Sequence, residues 1–250
     1  MIKNSDPIPG RSAALAALGR LDVELRTWAL AQSSREENYP VLIEKEQLGR
    51  AGYPDAFPHL LMAPAVARDP AQPMNRENLE LSDWCLSPAV CYHTYAGLEG
   101  RTLDPGIIVT ARGHCFRNEE PAALAPGRRQ VEFQMREIVL VGLPGWIEER
   151  LQTLQPGVEA LTRAFGLHGA WCVAHDPFFL PRARGQAHMQ RLRQTKLEWC
   201  LPDGLAVASI NRHGPFFGER FHISSADGQP AHSGCIAFGL DRWAAHASVL

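Results

Sequence analysis

The sequence predicts an α+β fold, an antiparallel β-sheet flanked by helices. Three observations carry that expectation. Strand-like runs are frequent, at 107–116, 131–142, 170–174, 196–201, 205–211, 217–223 and 234–239, with few crossover helices between them, which argues against a doubly wound parallel sheet. A length of 250 residues, 45% hydrophobic and 21% charged, suits one ordinary globular domain with room for a minor second element. Neither GxxxxGKS/T nor GxGxxG occurs, so the nucleotide-binding loops of parallel-sheet folds are missing.

The elements follow in order. Residues 11–32 place Leu15, Leu18, Leu21, Leu25 and Trp28 on one helical face, with Pro7 and Pro9 before it and the polar run Ser33 to Asn38 ending it. This sets an N-terminal helical segment, 1–38, ahead of the main domain, 39–250. A short helix is expected around 43–51, then a packed loop, and 64–80 reads as a surface connection. From Trp146 to Phe165 the stripe Ile147, Leu151, Leu154, Val158, Leu161 and Phe165 is helical, but Pro156-Gly157 interrupts it and predicts two pieces or a kink. The apolar strand at 234–239 runs through Gly239 into a helical tail.

A formal charge of −2 gives no basic footprint for nucleic acid. No apolar run is long enough to cross a bilayer, and MIKNSDPIPGR lacks an apolar signal core, so a cytoplasmic protein with no membrane partner is expected. The six cysteines (85, 91, 115, 172, 200 and 235) form no CxxC pair, and the ten histidines form no HxxxH or HExxH pair. Most of these thiols are expected to be buried in a reducing compartment.

The stretch from Phe116-Arg117-Asn118-Glu119 to Phe133 reads as strand, polar loop, strand. Arg117 suits a phosphoryl oxygen, Glu119 an exocyclic amine, and Phe133 the flat face of a base. An ordinary hairpin with a solvated basic loop accounts for the segment equally well. Near the C-terminus, Gly239 permits a close backbone approach, and Arg242 opens a helix whose N–H groups favour an anion.

Taken together, FRNE…F and GLDR resemble motifs 2 and 3 of class II aminoacyl-tRNA synthetases, with Asp241 where most synthetases carry glutamate. LSPAVCYHTYAG, QMREIVLVG, HDPFF at 175–179, GCIAFGLDR and GYPDAFPHLL at 52–61 narrow this. They are similar to amino acid:carrier protein ligases, relatives of the atypical zinc-containing seryl-tRNA synthetases. The resemblance runs from about residue 40 to the end, with a longer motif 2 loop from Glu120 to Arg128.

The resemblance implies a class II catalytic domain holding zinc through Cys91, Glu137 and Cys235. From the residues alone, an isolated cysteine at either position is usually a small buried hydrophobe, and the alternative for Glu137 is a cross-strand ion pair with Arg136 or a neighbour. Three ligands leave a fourth position for the α-amino group of a small amino acid. Arg117, Glu119 and Arg242 are the implied catalytic residues. Arg117, Glu119, Arg129, Gln130, Phe133, Ser209 and Arg242 are the implied ATP contacts, with Mg2+ offsetting the phosphates. Glu137, Asp176, Lys196, Glu198 and Asn211 are the implied substrate contacts, although Asp176-Pro177 also makes a structural turn.

The expected reaction forms an aminoacyl-adenylate and transfers the aminoacyl group to the phosphopantetheine thiol of a holo acyl or peptidyl carrier protein. Arg182, Arg184, Arg191 and Arg193 are candidates for docking it. A symmetric homodimer is expected, because class II domains pair through a sheet edge. The neutral charge and the single short N-terminal helix disfavour tRNA. A non-catalytic amino-acid-binding paralogue, a truncated tRNA synthetase and a zinc-stabilised dimer are the competing readings.

Overall fold

The computed structural model describes residues 11–174 and 195–248. Its first half comprises α1 (Arg11–Ala31), β1 (Arg35–Asn38), β2 (Leu42–Glu44), α2 (Lys45–Arg50), α3 (Tyr53–Ala56), β3 (Ala65–Ala67), β4 (Leu79–Leu81), β5 (Trp84–Leu86) and α4 (Cys91–Gly97). Then come β6 (Thr102–Leu103), β7 (Gly106–Phe116), β8 (Glu132–Gly142), α5 (Pro144–Ala164), β9 (Ala170–Val173), β10 (Lys196–Cys200) and β11 (Ala206–Gly214). The chain closes with α6 (Phe216–Arg220), β12 (Ser224–Ser225), β13 (His232–Gly239) and α7 (Leu240–His246).

A seven-stranded sheet, ordered β1-β7-β8-β13-β11-β10-β9, forms the centre. Only the β1–β7 pair is parallel. Strand alternation divides the side chains between two faces. Ile138 and Leu140 of β8, with Ile236 and Phe238 of β13, join α1, α5 and α7 in the main core. The residues between them, Glu137, Val139 and Cys235, face the other way, where Val139 and Cys235 meet Tyr95 of α4 and Phe217 of α6 in a smaller cluster. The chemistry-bearing residues therefore fall on the face away from the large helices.

Helix α5 is one helix from Pro144 to Ala164 with Pro156 inside it, which corrects the first of the two expected outcomes, separate pieces. Ile147, Leu151, Leu154 and Val158 are buried on one stripe, and burial of such side chains, each about 1.5–3 kcal/mol, outweighs the roughly 3 kcal/mol penalty of an internal proline. Gly157 serves contact here, not punctuation: a Cβ on it would lie 2.7 Å from the Trp28 ring of α1.

Three further segments hold structure that the sequence reading did not anticipate. The polar run Ser33 to Asn38 contains β1, whose Glu36 reaches the buried Arg136 at 3.2 Å. Arg136 is also gripped by Asp22 of α1 at 2.6 and 3.1 Å. Removing one partner from such a pair typically costs about 3–5 kcal/mol, so charge, not apolar alternation, seats this edge strand. Segment 217–223 is not a strand, since Phe217 and Phe221 bury themselves one helical turn apart around α6. Segment 64–80 holds the β3–β4 ribbon.

Candidate active site

The β8 pleat places Glu137 on the face opposite Arg136, so the two are not partners; Arg136 binds Asp22 and Glu36 instead. Glu137 is 2% exposed. Its Oε1 accepts from the Val90 amide at 3.0 Å, and its Oε2 is buried without a hydrogen-bond partner. On the neighbouring strand, Cys235 sits diagonal to it, two residues before Ala237, which pairs with Glu137. Cys91 opens α4, and its thiol is near enough to the Cys235 sulfur and the Glu137 carboxylate to interact with both.

This proximity shifts all three groups. Burial, then the charge of Cys235, pushes the Glu137 carboxyl up to about 7, against the hydrogen bonds from Cys91 and Val90. The hydrogen bond to Cys235, then burial and Glu137, hold the Cys91 proton in place. Cys235 moves the other way, as the acceptor of the Cys91 hydrogen bond, helped by His213 and Asn211. Among the described residues, no three His, Cys, Asp or Glu side chains are arranged as a preformed metal cage. The three groups are instead buried side by side. An unsatisfied buried carboxylate oxygen beside two thiols is a donor set that suits a thiophilic dication.

Sequence reasoning missed His213 and Tyr95. His213 Nε2 lies 3.9 Å from the Cys235 sulfur, and its Nδ1 lies 3.2 Å from the Tyr95 hydroxyl. The usable signal was in ASINRHG: His213 stands two residues after Asn211 on one strand and before a glycine. Asn211 Nδ2 donates to the Cys235 sulfur at 3.3 Å and to Ser209 at 3.1 Å. Ser209 pairs with Glu198 across β10, and Glu198 is 3.3 Å from Lys196.

The second half of the site is cationic. Arg117 donates twice to the Pro88 carbonyl, at 3.2 and 3.1 Å, and lies over the Phe133 ring at 5.0 Å. Arg242 donates to the carbonyls of Arg128 and Ala206, both at 2.7 Å. These neutral partners fix both guanidinium groups without neutralising them. Burial, then the charges of Arg117 and Arg129, lower the Arg242 pKa. Burial also opposes the charge on Arg117, but Tyr53, Cys115, Tyr92 and Glu119 outweigh it and its pKa rises. Arg129 binds Glu119 at 2.8 Å, in the loop with half-buried Gln130. Asp241 accepts from the Gln134 amide. The halves meet at Pro88–Val90, whose carbonyl holds Arg117 at one end and whose amide holds Glu137 at the other. Asp176, HDPFF and the docking arginines Arg182, Arg184, Arg191 and Arg193 lie outside the described residues.

The sheet order and its flanking helices have the fold of class II aminoacyl-tRNA synthetase catalytic domains. Solved structures agree on the fold: the M. kandleri SerRS bound to A. aeolicus tRNASec has a TM-score of 0.75 at 23% identity, covering 96% of this chain and 53% of that one. Pyrrolysyl-tRNA synthetase from Desulfitobacterium hafniense has a TM-score of 0.60 at 19% identity, covering 91% and 68%. The chain thus spans about half the length of the SerRS it matches. No protein-family model matches the sequence. Among curated proteins, "Amino acid--[acyl-carrier-protein] ligase 1" of Bradyrhizobium diazoefficiens is 32% identical over 243 residues, 88% of this chain and 74% of the relative. Ligase 2 of the same organism is 31% identical, covering 89% and 73%. The type-2 serine--tRNA ligase of Methanocaldococcus jannaschii is 28% identical, over 64% of this chain and 33% of that protein. The chain belongs to the amino acid--[acyl-carrier-protein] ligase family.

Proposed function

We propose that this protein activates a small amino acid with ATP and transfers it to the phosphopantetheine thiol of a carrier protein. The observation that carries this reading is the meeting of two unlike sites at Pro88–Val90: uncompensated arginines on one side, a thiol–carboxylate cluster on the other. In the first step the amino acid carboxylate attacks the α-phosphorus and pyrophosphate leaves. Arg117, fixed by the Pro88 carbonyl, holds the reacting phosphate and carboxylate oxygens as charge builds between them. Arg242 and Arg129 hold the outer phosphates. These arginines leave part of the triphosphate charge uncovered, the share expected of Mg2+. Phe133 offers its ring to the base, with Glu119 and Gln130 at the loop edge.

Cys91, Glu137 and Cys235 would hold zinc, which when bound supplies a Lewis-acidic seat for a neutral α-amine. Asn211, Ser209, Glu198 and Lys196 line the same face as these ligands and would crowd a large side chain. In the second step the carrier thiol attacks the acyl carbon, a thioester forms and AMP leaves. Position and charge serve for both steps, and no covalent enzyme intermediate is needed.

A carrier protein is favoured over tRNA by the net charge of −2. Pairing as a homodimer is inferred from β1 and β9, the edge strands of the central sheet among the described residues, which call for cover. No helix among the described residues is long and apolar enough to cross a membrane.

The test is pyrophosphate exchange across the twenty amino acids, followed by transfer of label to holo carrier protein or to total tRNA. Exchange with a small amino acid and label on the phosphopantetheine thiol are expected. Label on tRNA, or adenylate formation with no transfer to any phosphopantetheine thiol, would overturn the acceptor assignment.

A further inference from the structure

Cys235 is held from outside the thiol–carboxylate cluster in a way that Cys91 is not. Asn211 Nδ2 lies 3.3 Å from its sulfur and His213 Nε2 lies 3.9 Å from it. The other ring nitrogen of His213 is 3.2 Å from the Tyr95 hydroxyl and 3.4 Å from the Ser233 hydroxyl. In the tautomer whose Nδ1 accepts from one of these hydroxyls, the ring proton sits on Nε2 and faces the sulfur as a donor. The ring is also wedged edge-on against Phe217, with centroids 5.0 Å apart. The ring is therefore placed by Tyr95, Ser233 and Phe217, none of which is one of the three proposed ligands.

The backbone bends to make this contact. Strands β11 and β13 pair in register from Ala208 to Arg212, which faces Gly234; Gly214, not His213, then faces Ser233. His213 is the extra residue of a β-bulge, a device that re-aims a side chain. Gly214 follows it at φ +60, a conformation that glycine adopts without strain.

We propose that His213 is a positioning residue for the metal site. Its Nε2–H, together with Asn211, makes the Cys235 sulfur a fixed anchor and leaves Cys91 as the thiol that adjusts when metal enters. This rests on the zinc reading above. Outer hydrogen bonds to metal ligands are commonly worth about 10–100-fold in affinity.

The experiment measures zinc dissociation constants by competition with a chromophoric chelator for the unaltered protein, His213→Ala, His213→Gln and Tyr95→Phe. The melting temperature of each metal-free protein is recorded alongside. His213→Ala should bind zinc about 10–100-fold more weakly. His213→Gln, which keeps an N–H donor, should recover most of the loss, and Tyr95→Phe should show a smaller loss than His213→Ala. If His213→Ala does not fold, His213→Phe replaces it, keeping the ring packing without the donor. Unaltered affinity in the donor-less variant, or an equally large loss in His213→Gln, overturns the proposal. Absence of zinc binding by the unaltered protein overturns the metal reading first, and is distinguishable because it needs no variant.

Discussion

The two halves of the site solve opposite electrostatic problems. On the phosphate side, Arg117 and Arg242 are tied to the carbonyls of Pro88, Arg128 and Ala206, partners that fix position and leave the positive charge available. On the amine side, Cys91, Glu137 and Cys235 are buried together with the Glu137 Oε2 unsatisfied. That cluster has negative capacity, and its three side chains supply no positive charge. The contrast separates charge held ready for an anion from charge that must be completed before the site can work.

The largest effect should come from leaving the amine half incomplete. Removing metal with a chelator, or replacing Cys91 or Cys235 by serine, is expected to lower pyrophosphate exchange by more than about 100-fold, beyond the loss of an outer-shell partner. ATP binding measured by calorimetry should survive, because no arginine contact is touched. Full exchange in a Cys91→Ser protein would break the comparison.

Next in size is Arg117→Ala. Its contact should strengthen as charge develops, so the chemical step should slow about 10²–10³-fold, or roughly 3–4 kcal/mol, with a small change in the apparent KM for ATP. Single-turnover adenylate formation reads this directly. A rise in KM with unchanged rate would move Arg117 from the reacting phosphate to an outer one.

Acid should discriminate between the halves. The Cys91 proton, held by its hydrogen bond to Cys235, by burial and by Glu137, must leave for a metal to be ligated. Zinc affinity should therefore fall as pH is lowered, about tenfold per unit for each proton displaced. Guanidinium groups keep their charge throughout this range, so ATP affinity at fixed ionic strength and metal should change much less. Parallel pH profiles for the two ligands would remove the distinction.

The halves also differed in how far the sequence disclosed them. Arg117, Phe133 and Arg242 sit in short motifs whose spacing is local, and the fold class followed from frequent strands with few crossovers. Asp176 lies outside the described residues. His213 was hidden because a bulge, not a regular strand, turns it toward Cys235, and its partners Tyr95 and Ser233 are distant in sequence. The run Ser33 to Asn38 does end α1, and the strand it also contains is hidden because its seat is an ion pair from Glu36 to buried Arg136, which apolar alternation does not reveal. In α6, Phe217 and Phe221 sit four apart among polar residues, a spacing that a strand's two-residue alternation also satisfies.

The smallest predicted effect tests whether the cationic half is itself divided. Arg242 is fixed by two carbonyls 2.7 Å away, and its charge is disfavoured by burial and by Arg117 and Arg129. Outer phosphates are bound before and after the carboxylate attacks, so a contact to them contributes similarly to ground and transition states. Arg242→Ala should raise the apparent KM for ATP by about tenfold, near the lower end for a charged hydrogen bond, while kcat changes by less than about threefold. Because the same side chain also ties the Arg128 loop, Arg242→Lys separates the two roles. If charge alone matters, lysine restores much of the ATP affinity. If loop tethering matters, lysine stays as weak as alanine, because one ammonium cannot reach both carbonyls and the phosphate. A fall in kcat for Arg242→Ala as large as that for Arg117→Ala would mean that both arginines act on the reacting phosphate.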